Sequence, residues 1–277
     1  MIIVIDALNK HRFGDLLADM YRLRARVFGD RLGWEVEIKD GMEIDQFDRL
    51  DPAYVIGLDD EGHVVSCVRA LQTTGPHMLS DVFQVILDGE PPLRSARLWE
   101  STRFCVDTQR LAGNGNMKAV SLATCELMIG SLEYARRSGI SDIVTVIDPV
   151  MDRVLKRSDN APYGYVGSTK PMGKVSAMAA LLDCTEERIG RVRAFSGIHG
   201  DVFADEDAVR ALLDARRARE AGMVPAAVSQ VSQDDIMSYC EDQIRAAETP
   251  EDRAAALALA QVLARKAQAP RHAGKLH

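Results

Sequence analysis

The sequence predicts a mixed α/β domain of the α+β type, followed by a helical C-terminal extension. Short β-rich runs alternate with helical stretches over the first two hundred residues, which is typical of a sheet flanked by helices. Beyond Gly200 the chain becomes alanine-rich and charged, and of its aromatic residues only Phe203 and Tyr239 lie there. We therefore expect the core within residues 1–200 and an extension over residues 201–277.

The elements follow from periodicity and turn signals. Apolar and β-branched runs predict strands over 1–7, 54–58, 63–71, 98–106, 143–147 and 174–182. The turn Asp-Asp-Glu-Gly at 59–62 predicts that the strands 54–58 and 63–71 form a hairpin. Helical spacing predicts helices over 11–27, 117–138 and 149–157. In the extension we expect helices over 207–221 and 232–268, with a break at 222–229 that contains Pro225 and an interruption near Pro250.

Composition and charge exclude several classes of protein. Hydrophobic residues at 47% and charged residues at 27% are ordinary for a globular protein, and 34 basic against 41 acidic residues give a net charge of −7, which argues against a nucleic-acid partner. No apolar run is long enough to span a membrane and the chain starts without a basic leader, so we expect a cytoplasmic protein. The five cysteines are scattered, which favours reduced core thiols over a zinc site, and we expect no metal.

A glycine-rich turn precedes the longest predicted helix. Arg110, Gly113 and Gly115 form the pattern R-x-x-G-x-G after a strand and a short loop. Acyl-CoA-dependent N-acetyltransferases hold a pyrophosphate with this spacing, and the same backbone N–H groups would accept a phosphopantetheine arm. Ordinary turn chemistry is the alternative, since Gly-Asn-Gly before a helix is common.

Charged and aromatic residues are dense in segments that otherwise resemble core. They are Arg24, Phe28, Trp34, Glu43, Asp45, Asp48, Arg69, Glu100 and Arg103. Because a lone buried ion costs several kcal/mol, these charges must be paired or must face a cleft. A structural salt-bridge network is the alternative to a site. Glu100 and Arg103 are an odd number of residues apart, so either a bulge intervenes or the two do not line one wall.

The order of these residues resembles a known enzyme family. The chain contains Arg24-x3-Phe28-x5-Trp34, Glu43-x-Asp45-x2-Asp48, Arg69, Pro76-His-Met-Leu-Ser-Asp81-Val-Phe83 and Glu100-x2-Arg103-Phe104. This pattern, over roughly residues 1–195, is similar to that of the acyl-homoserine-lactone synthases, the LuxI-type autoinducer synthases of bacterial quorum sensing. The resemblance implies an N-acetyltransferase-like fold with a V-shaped cleft. It implies two substrates, S-adenosylmethionine and a fatty acyl thioester on acyl carrier protein or coenzyme A, and no cofactor.

The resemblance also implies roles for single residues. Glu100 would take the proton of the attacking amine or position a water that does, unless it merely pairs with an arginine; Arg24 and Arg103 would clamp the methionine carboxylate or close a lid. Substrate-binding positions would be Phe28, Trp34, Glu43, Asp45, Asp48, Arg69, Phe104 and Thr145. Among them Phe28 and Trp34 would face the sulfonium unless they only pack a flap, and the Thr145 hydroxyl would bond a 3-oxo group unless it is ordinary strand threonine.

Two regions lie at the limits of the resemblance. Arg153, Lys156 and Arg157 form a basic face on a short helix, which would dock acidic acyl carrier protein unless it is only a solvated helix end. The segment 156–163 lacks the Gly-Trp that family members often have, and residues 201–277 lie outside the pattern, where self-association is one role to expect. The rival functions are a CoA-dependent N-acyltransferase of another amine and a noncatalytic acyl-thioester-binding protein.

Overall fold

A seven-stranded mixed sheet is the main element of the computed structural model, which describes residues 1–112, 117–172, 175–222 and 257. The strands are β1 (Ile2–Ile5), β2 (Ile38–Lys39), β3 (Met42–Glu43), β4 (Ala53–Leu58), β5 (Val64–Gln72), β6 (Leu98–Val106), β7 (Asp142–Ile147), β8 (Gly164–Met172) and β9 (Val175–Asp183). The order across the sheet is β1-β4-β5-β6-β7-β9-β8, and β2 pairs with β3 in a separate ribbon. The β6–β7 pair is parallel, whereas the other neighbours are antiparallel.

The helices are α1 (Gly14–Arg24), α2 (Met78–Asp81), α3 (Thr108–Leu111), α4 (Met117–Arg137), α5 (Pro149–Arg157), α6 (Glu186–Ser196) and α7 (Glu206–Glu220). A π-helical segment, Ala25–Arg31, continues α1, and 3₁₀ turns cover Lys10–Arg12, Gln46–Leu50 and Gln84–Leu87. Among the helices of the described ranges, none combines the length and the apolar character needed to cross a membrane.

Apolar residues are buried on both faces of the sheet. On one face, α4 and α6 cover a core that includes Ile143, Leu127 and Val192. On the other face, α1 packs on strands β1, β4 and β5, and α2 with the turn at 84–87 covers the ends of β6, β7 and β9. This division decides which side chains of β6 can meet, because alternate residues of a strand face opposite sides.

Strands β6 and β7 diverge partway along the sheet. Among the described residues, their paired positions run from Leu98↔Asp142 to Ser101↔Thr145, although β6 continues to Val106 and β7 to Ile147. Beyond that point their edges are not joined to each other. The sheet therefore has an opening at its centre, which agrees with the V-shaped cleft that the resemblance implies.

The strand and helix predictions for residues 1–200 are largely confirmed, but the short strands β2 and β3 and the short helices α2 and α3 were not predicted. β8 and α6 were not predicted, and the last predicted strand is β9, which begins after Lys174, a residue outside the described ranges. Cys67, Cys105, Cys125 and Cys184 are free and buried, as expected of core thiols; Cys240 lies outside the described residues.

The chain divides into two units, Met1–Arg216 and Arg217–His277. The first unit continues past Gly200 because Val209 and Leu213 of α7 are buried in the core beneath α1. α7 confirms the helix predicted over 207–221. The helical region predicted over 232–268, with the self-association assigned to it, lies outside the described residues except for Leu257.

Candidate active site

A closed ring of alternating charges joins α1 to the sheet. Its members are Arg24 on α1, Glu43 on β3, Asp45 and Asp48 at the 3₁₀ turn, Arg69 on β5 and Arg103 on β6. Around the ring the order is Glu43, Arg24, Asp48, Arg69, Asp45 and Arg103, and neighbours lie 2.5–2.9 Å apart. Every arginine bonds two carboxylates and every carboxylate bonds two arginines. Three positive and three negative charges make the ring neutral as a whole.

The ring is sealed except along one edge. The side chains of Arg24, Glu43, Asp48 and Arg69 are at most 2% exposed. Asp45 and Arg103, which bond each other at 2.9 Å, are 18% and 10% exposed. The Asp45–Arg103 edge is therefore where a ligand would meet the ring.

Ion pairing affects the pKa values of the buried ring members Asp48 and Arg24 more than burial does. Burial by itself would raise the pKa of Asp48, but the hydrogen bonds and charge of Arg24, with the charge of Arg69, hold it well below its usual value. Burial would likewise lower the pKa of Arg24, but Asp48 and Glu43 raise it. Both groups consequently stay charged in the folded protein.

Two tyrosines and a threonine that the sequence analysis did not single out support the ring. The Tyr54 hydroxyl donates to Asp48 at 2.7 Å and lies 3.0 Å from the hydroxyl of Tyr21. Arg69 donates from Nε to the Thr102 hydroxyl at 3.0 Å. Tyr54 is the cross-strand partner of Arg69 in the β4–β5 hairpin. The hairpin predicted from the sequence could therefore have placed Tyr54 beside Arg69.

A β-bulge brings Arg103 to the ring. Cys67 pairs with Cys105 and Arg69 with Thr102, so β6 has one residue more than β5 between these pairs. Arg103 takes a positive φ of 56° there, a conformation that costs a non-glycine residue about 1–3 kcal/mol. Of the two outcomes left open by the odd spacing of Glu100 and Arg103, the bulge is the one observed. Both side chains are turned to the face that α1 and α2 cover.

Glu100 is fully buried beside the ring. Its carboxylate accepts the backbone N–H groups of Met78 at 2.6 Å and Leu79 at 2.7 Å, at the start of α2. No arginine of the described residues bonds it, so the structural pairing considered above is not present. Burial raises the pKa of Glu100 to about 7, against the opposing effect of the two N–H donors. A carboxyl with that pKa accepts a proton near neutral pH.

An aromatic pair adjoins the open edge. The rings of Phe28 and Trp34 lie 5.1 Å apart, and the Arg103 guanidinium lies 5.4 Å from the centre of the Phe28 ring. Phe28 is buried on the π-helical segment, whereas Trp34 is 39% exposed. The sequence-predicted aromatics, acids and arginines thus meet at one place.

Phe104 and Thr145 lie on the other face of the sheet. Phe104 packs against the core beneath α4, and Thr145 lies between Ile143 and Ile147, which belong to the same core. Thr145 is also the last residue of β7 paired with β6, at the point where the two strands diverge. These two residues lie on the α4 side of the sheet and do not join the ring.

Arg110 pairs with acids of the hairpin turn. It lies on α3 and bonds Asp59 and, at 2.8 Å, Glu61. Gly113 and Gly115, the glycines of the predicted phosphate-binding turn, lie outside the described residues.

The predicted docking face on α5 is exposed. Arg153, Lys156 and Arg157 all reach solvent, and Lys156 pairs with Asp152 of the same helix at 2.7 Å. The chain after α5 is held by Arg188, a buried residue of α6 that donates to Asn160 at 3.1 Å and pairs with Asp183 at 2.7 Å. Arg188 thus holds the segment 156–163, in which the sequence analysis noted the absence of Gly-Trp.

An open cavity of about 450 Å³ between α4 and α6 shares no residue with the ring. Its arginines are already paired, Arg136 with Glu186 and both Arg137 and Arg193 with Glu133. Within the described part of the chain, no three His, Cys, Asp or Glu side chains are placed to hold a metal ion.

The sequence of this chain is similar to those of known proteins. Residues 9–192 match the family described as autoinducer synthase. The acyl-homoserine-lactone synthase of Agrobacterium fabrum (strain C58) is 37% identical over 181 residues, which are 65% of this chain and 85% of that protein. The acyl-homoserine-lactone synthase of Pseudomonas aeruginosa PAO1 is 36% identical over 145 residues, 52% of this chain and 70% of that one.

Solved structures agree with the sequence relatives. MesI, a CoA-dependent acyl-homoserine lactone synthase, superposes with a TM-score of 0.64 at 28% identity and covers 74% of this chain and 100% of its own. The AHL synthase LasI gives a TM-score of 0.60 at 28% identity, with 74% of this chain and 98% of its own covered. The matched segment contains the charge ring, Glu100 and the aromatic pair, and the chain belongs to the autoinducer synthase family.

Proposed function

We propose that this enzyme is an acyl-homoserine-lactone synthase that makes quorum-sensing signals from S-adenosylmethionine and an acyl thioester. The observation that carries the proposal is the Asp45–Arg103 edge, the open side of an otherwise sealed charge ring, next to Glu100 and to the Phe28–Trp34 pair. An edge with one carboxylate and one guanidinium matches a ligand that has one ammonium and one carboxylate.

The methionine part of S-adenosylmethionine would bind along this edge. Arg103 would take its carboxylate and Asp45 its α-amine, since these two side chains reach solvent. Arg24, Glu43, Asp48 and Arg69 are fully enclosed, and we assign them to hold the edge in place. The sulfonium would lie against Phe28 and Trp34, where a cation is stabilised by about 0.5–2 kcal/mol.

Acyl transfer is the first step. The amine, an α-amino group whose reference pKa is about 8, must lose a proton before its nitrogen can attack. Glu100 would take that proton directly or through one water, because burial places its pKa near 7. The nitrogen bonds to the thioester carbonyl carbon, the C–S bond breaks, and the sulfur leaves as a thiol after taking up a proton.

Lactone closure is the second step. The methionine carboxylate attacks its own γ-carbon, the bond from that carbon to sulfur breaks, and the electron pair neutralises the sulfonium as methylthioadenosine leaves. This step needs no base, only a folded conformation of the substrate. An Arg103 that is fixed by Glu43 and Asp45 would supply that conformation.

The acyl chain would enter the opening between β6 and β7, with Phe104 and Thr145 at its α4 side. Gly113 and Gly115 remain our candidates for the phosphopantetheine arm, together with Arg110. Arg153, Lys156 and Arg157 remain our candidates for docking acyl carrier protein. We place the reaction in the cytoplasm, where both substrates are made.

The test is to incubate the purified full chain with S-adenosylmethionine and a panel of acyl carrier protein and CoA thioesters, and to measure products by mass spectrometry. We expect an acyl-homoserine lactone and an equal amount of methylthioadenosine. Asp45→Asn should raise KM for S-adenosylmethionine, whereas Glu187→Gln, an exposed change on α6, should not.

The other outcomes contradict the proposal. An acylated amine without methylthioadenosine would identify an ordinary N-acyltransferase. Binding of both substrates without turnover would identify a noncatalytic protein.

A further inference from the structure

Met78 touches both the candidate base and the charge ring. Its backbone N–H donates to Glu100 Oε2 at 2.6 Å. Its thioether sulfur accepts N–H groups of Arg69 Nη2 at 3.3 Å and Arg103 Nη1 at 3.5 Å. The residue is 5% exposed and packs against Phe47 and Leu71. One buried residue therefore connects the carboxylate that would take the amine proton with the arginine that would hold the substrate carboxylate.

The neighbouring residue lacks this double contact. Leu79 also donates its N–H to Glu100, at 2.7 Å, but its side chain is buried in a separate apolar cluster with Ile86 and Val144. The two residues thus differ in what their side chains touch, and they are alike in their backbone bonds to Glu100. This difference provides a matched control.

A thioether is a weak hydrogen-bond acceptor, so the two contacts of the Met78 sulfur contribute little to folding. These contacts do, however, set the position of Met78 relative to the guanidinium groups of Arg69 and Arg103. Arg103 Nη1 has the Met78 sulfur as its acceptor among the described residues, so a shift of this guanidinium is transmitted to the residue whose N–H holds Glu100. A displacement of about 1 Å in a reacting group is enough to cost up to about 100-fold in rate.

We propose that Met78 is a positioning residue, which keeps the Glu100 carboxylate at the right place relative to the Asp45–Arg103 edge. The inference rests on the proposed function and deepens it. Met78 would touch neither substrate in this role, and its effect would pass through Glu100 and Arg103.

The experiment compares Met78→Leu with Leu79→Met. Both exchanges conserve side-chain volume and are of the type that cores tolerate best. In Met78→Leu the backbone N–H remains and the sulfur acceptor is lost. If Met78→Leu does not fold, Met78→Ile, which also lacks the sulfur, is used in its place. For each variant, the number of S-adenosylmethionine sites is measured by calorimetry, and kcat, KM and the pH profile of kcat are measured with one acyl donor.

We expect Met78→Leu to bind S-adenosylmethionine in full stoichiometry, with KM within about twofold of wild type and kcat lower by about tenfold. The acidic limb of its pH profile should move to higher pH by about half a unit, since a looser Met78 N–H bond stabilises the Glu100 carboxylate less. The other groups next to Glu100, which are Arg69 on β5 and both Asp81 and His77 at α2, are unchanged in both variants. A partly unfolded sample would lower kcat without moving the limb.

Leu79→Met should lower kcat less than Met78→Leu does and should not move the limb, because the Leu79 side chain packs in a separate apolar cluster. A Met78→Leu enzyme with wild-type kcat and an unmoved limb would overturn the inference, and so would an equal loss in Leu79→Met, which would indicate general packing of α2. These outcomes require a wild-type enzyme that makes lactone. A wild type that makes none refutes the proposed function instead.

Discussion

Replacing Asp48 with asparagine tests whether the sealed part of the ring acts through stability. The Asp48 carboxylate accepts two N–H bonds from Arg24 at 2.8 and 2.9 Å and one from Arg69 at 2.8 Å, and it accepts the O–H of Tyr54 at 2.7 Å. Its side chain is 2% exposed. Asparagine keeps the size but removes the charge and turns an NH₂ group towards existing donors. The ring is then left with three arginines, of which Arg24 and Arg69 are buried, and two carboxylates.

The magnitude follows from what remains buried. Removing one partner of a buried ion pair costs about 3–5 kcal/mol, because the other partner stays enclosed without compensation. With a urea m-value of about 2–3 kcal/mol/M, the unfolding midpoint should fall by about 1–2.5 M. Asp45→Asn, at the open edge, should cost less because water reaches its partner Arg103. Glu187→Gln at an exposed pair should cost under about 1 kcal/mol.

Urea unfolding followed by tryptophan fluorescence and circular dichroism measures these differences. Both tryptophans, Trp34 and Trp99, lie in the first unit. Because the pKa of Asp48 is lowered in the folded state, its stabilisation is present above the ordinary carboxyl pKa of about 4 and is lost as the pH falls below it. The gap between wild type and Asp48→Asn should therefore narrow in acid. Equal losses in Asp48→Asn and Asp45→Asn, or a loss under about 1 kcal/mol in the former, would refute the division into sealed and open parts.

Three further predictions concern the reaction. Glu100→Gln should lower kcat by about 100-fold or more, and the acidic limb near pH 7 should be absent from the pH profile of its kcat. If that limb persists in the variant, the group that titrates there is the substrate amine and not Glu100. Thr145→Val should lower kcat/KM for 3-oxoacyl donors about fivefold relative to unsubstituted acyl donors, and an unchanged ratio would remove Thr145 from recognition of the 3-oxo group. Arg153→Glu with Lys156→Glu should raise KM for a carrier-bound donor and spare a CoA donor, whereas no change with either donor would discard the docking face.

The sequence predicted the local elements and the members of the charge ring better than it predicted the geometry of the ring. The hairpin around 59–62 and helices α4 and α7 have strong local signals, and the structure confirms them. β8 was missed because Gly-Tyr-Val-Gly-Ser-Thr-Lys-Pro-Met has few strand-forming residues, and it is stable only as an edge strand paired to β9. α6 had a usable signal, since Thr185 followed by two glutamates is a typical helix start.

The closed ring could not be predicted, because its members come from distant parts of the chain. Arg24 and Arg103 are 79 positions apart in sequence (103 − 24), and only the folded sheet places both on Glu43. The bulge that turns Arg103 depends on the pairing of β6 with β5, which periodicity along one strand does not reveal. Met78 gave no signal at all, since a methionine among apolar residues normally indicates core.

Of the two interpretations of the charged residues, the structural network is observed in the ring, and the substrate site is our proposal for its Asp45–Arg103 edge. Four of the six charges can be enclosed because each member of the ring has two partners of opposite sign, so no enclosed charge is left without compensation when water is removed. The four sealed members make the edge rigid. A rigid edge does not need to reorganise when the amino-acid part of the substrate binds. Because that part carries one ammonium and one carboxylate, its binding leaves the net charge of the ring at zero. A substrate with only one of these charges would leave an unpaired ion at the same place, and that penalty is a physical basis for selecting an amino-acid group there.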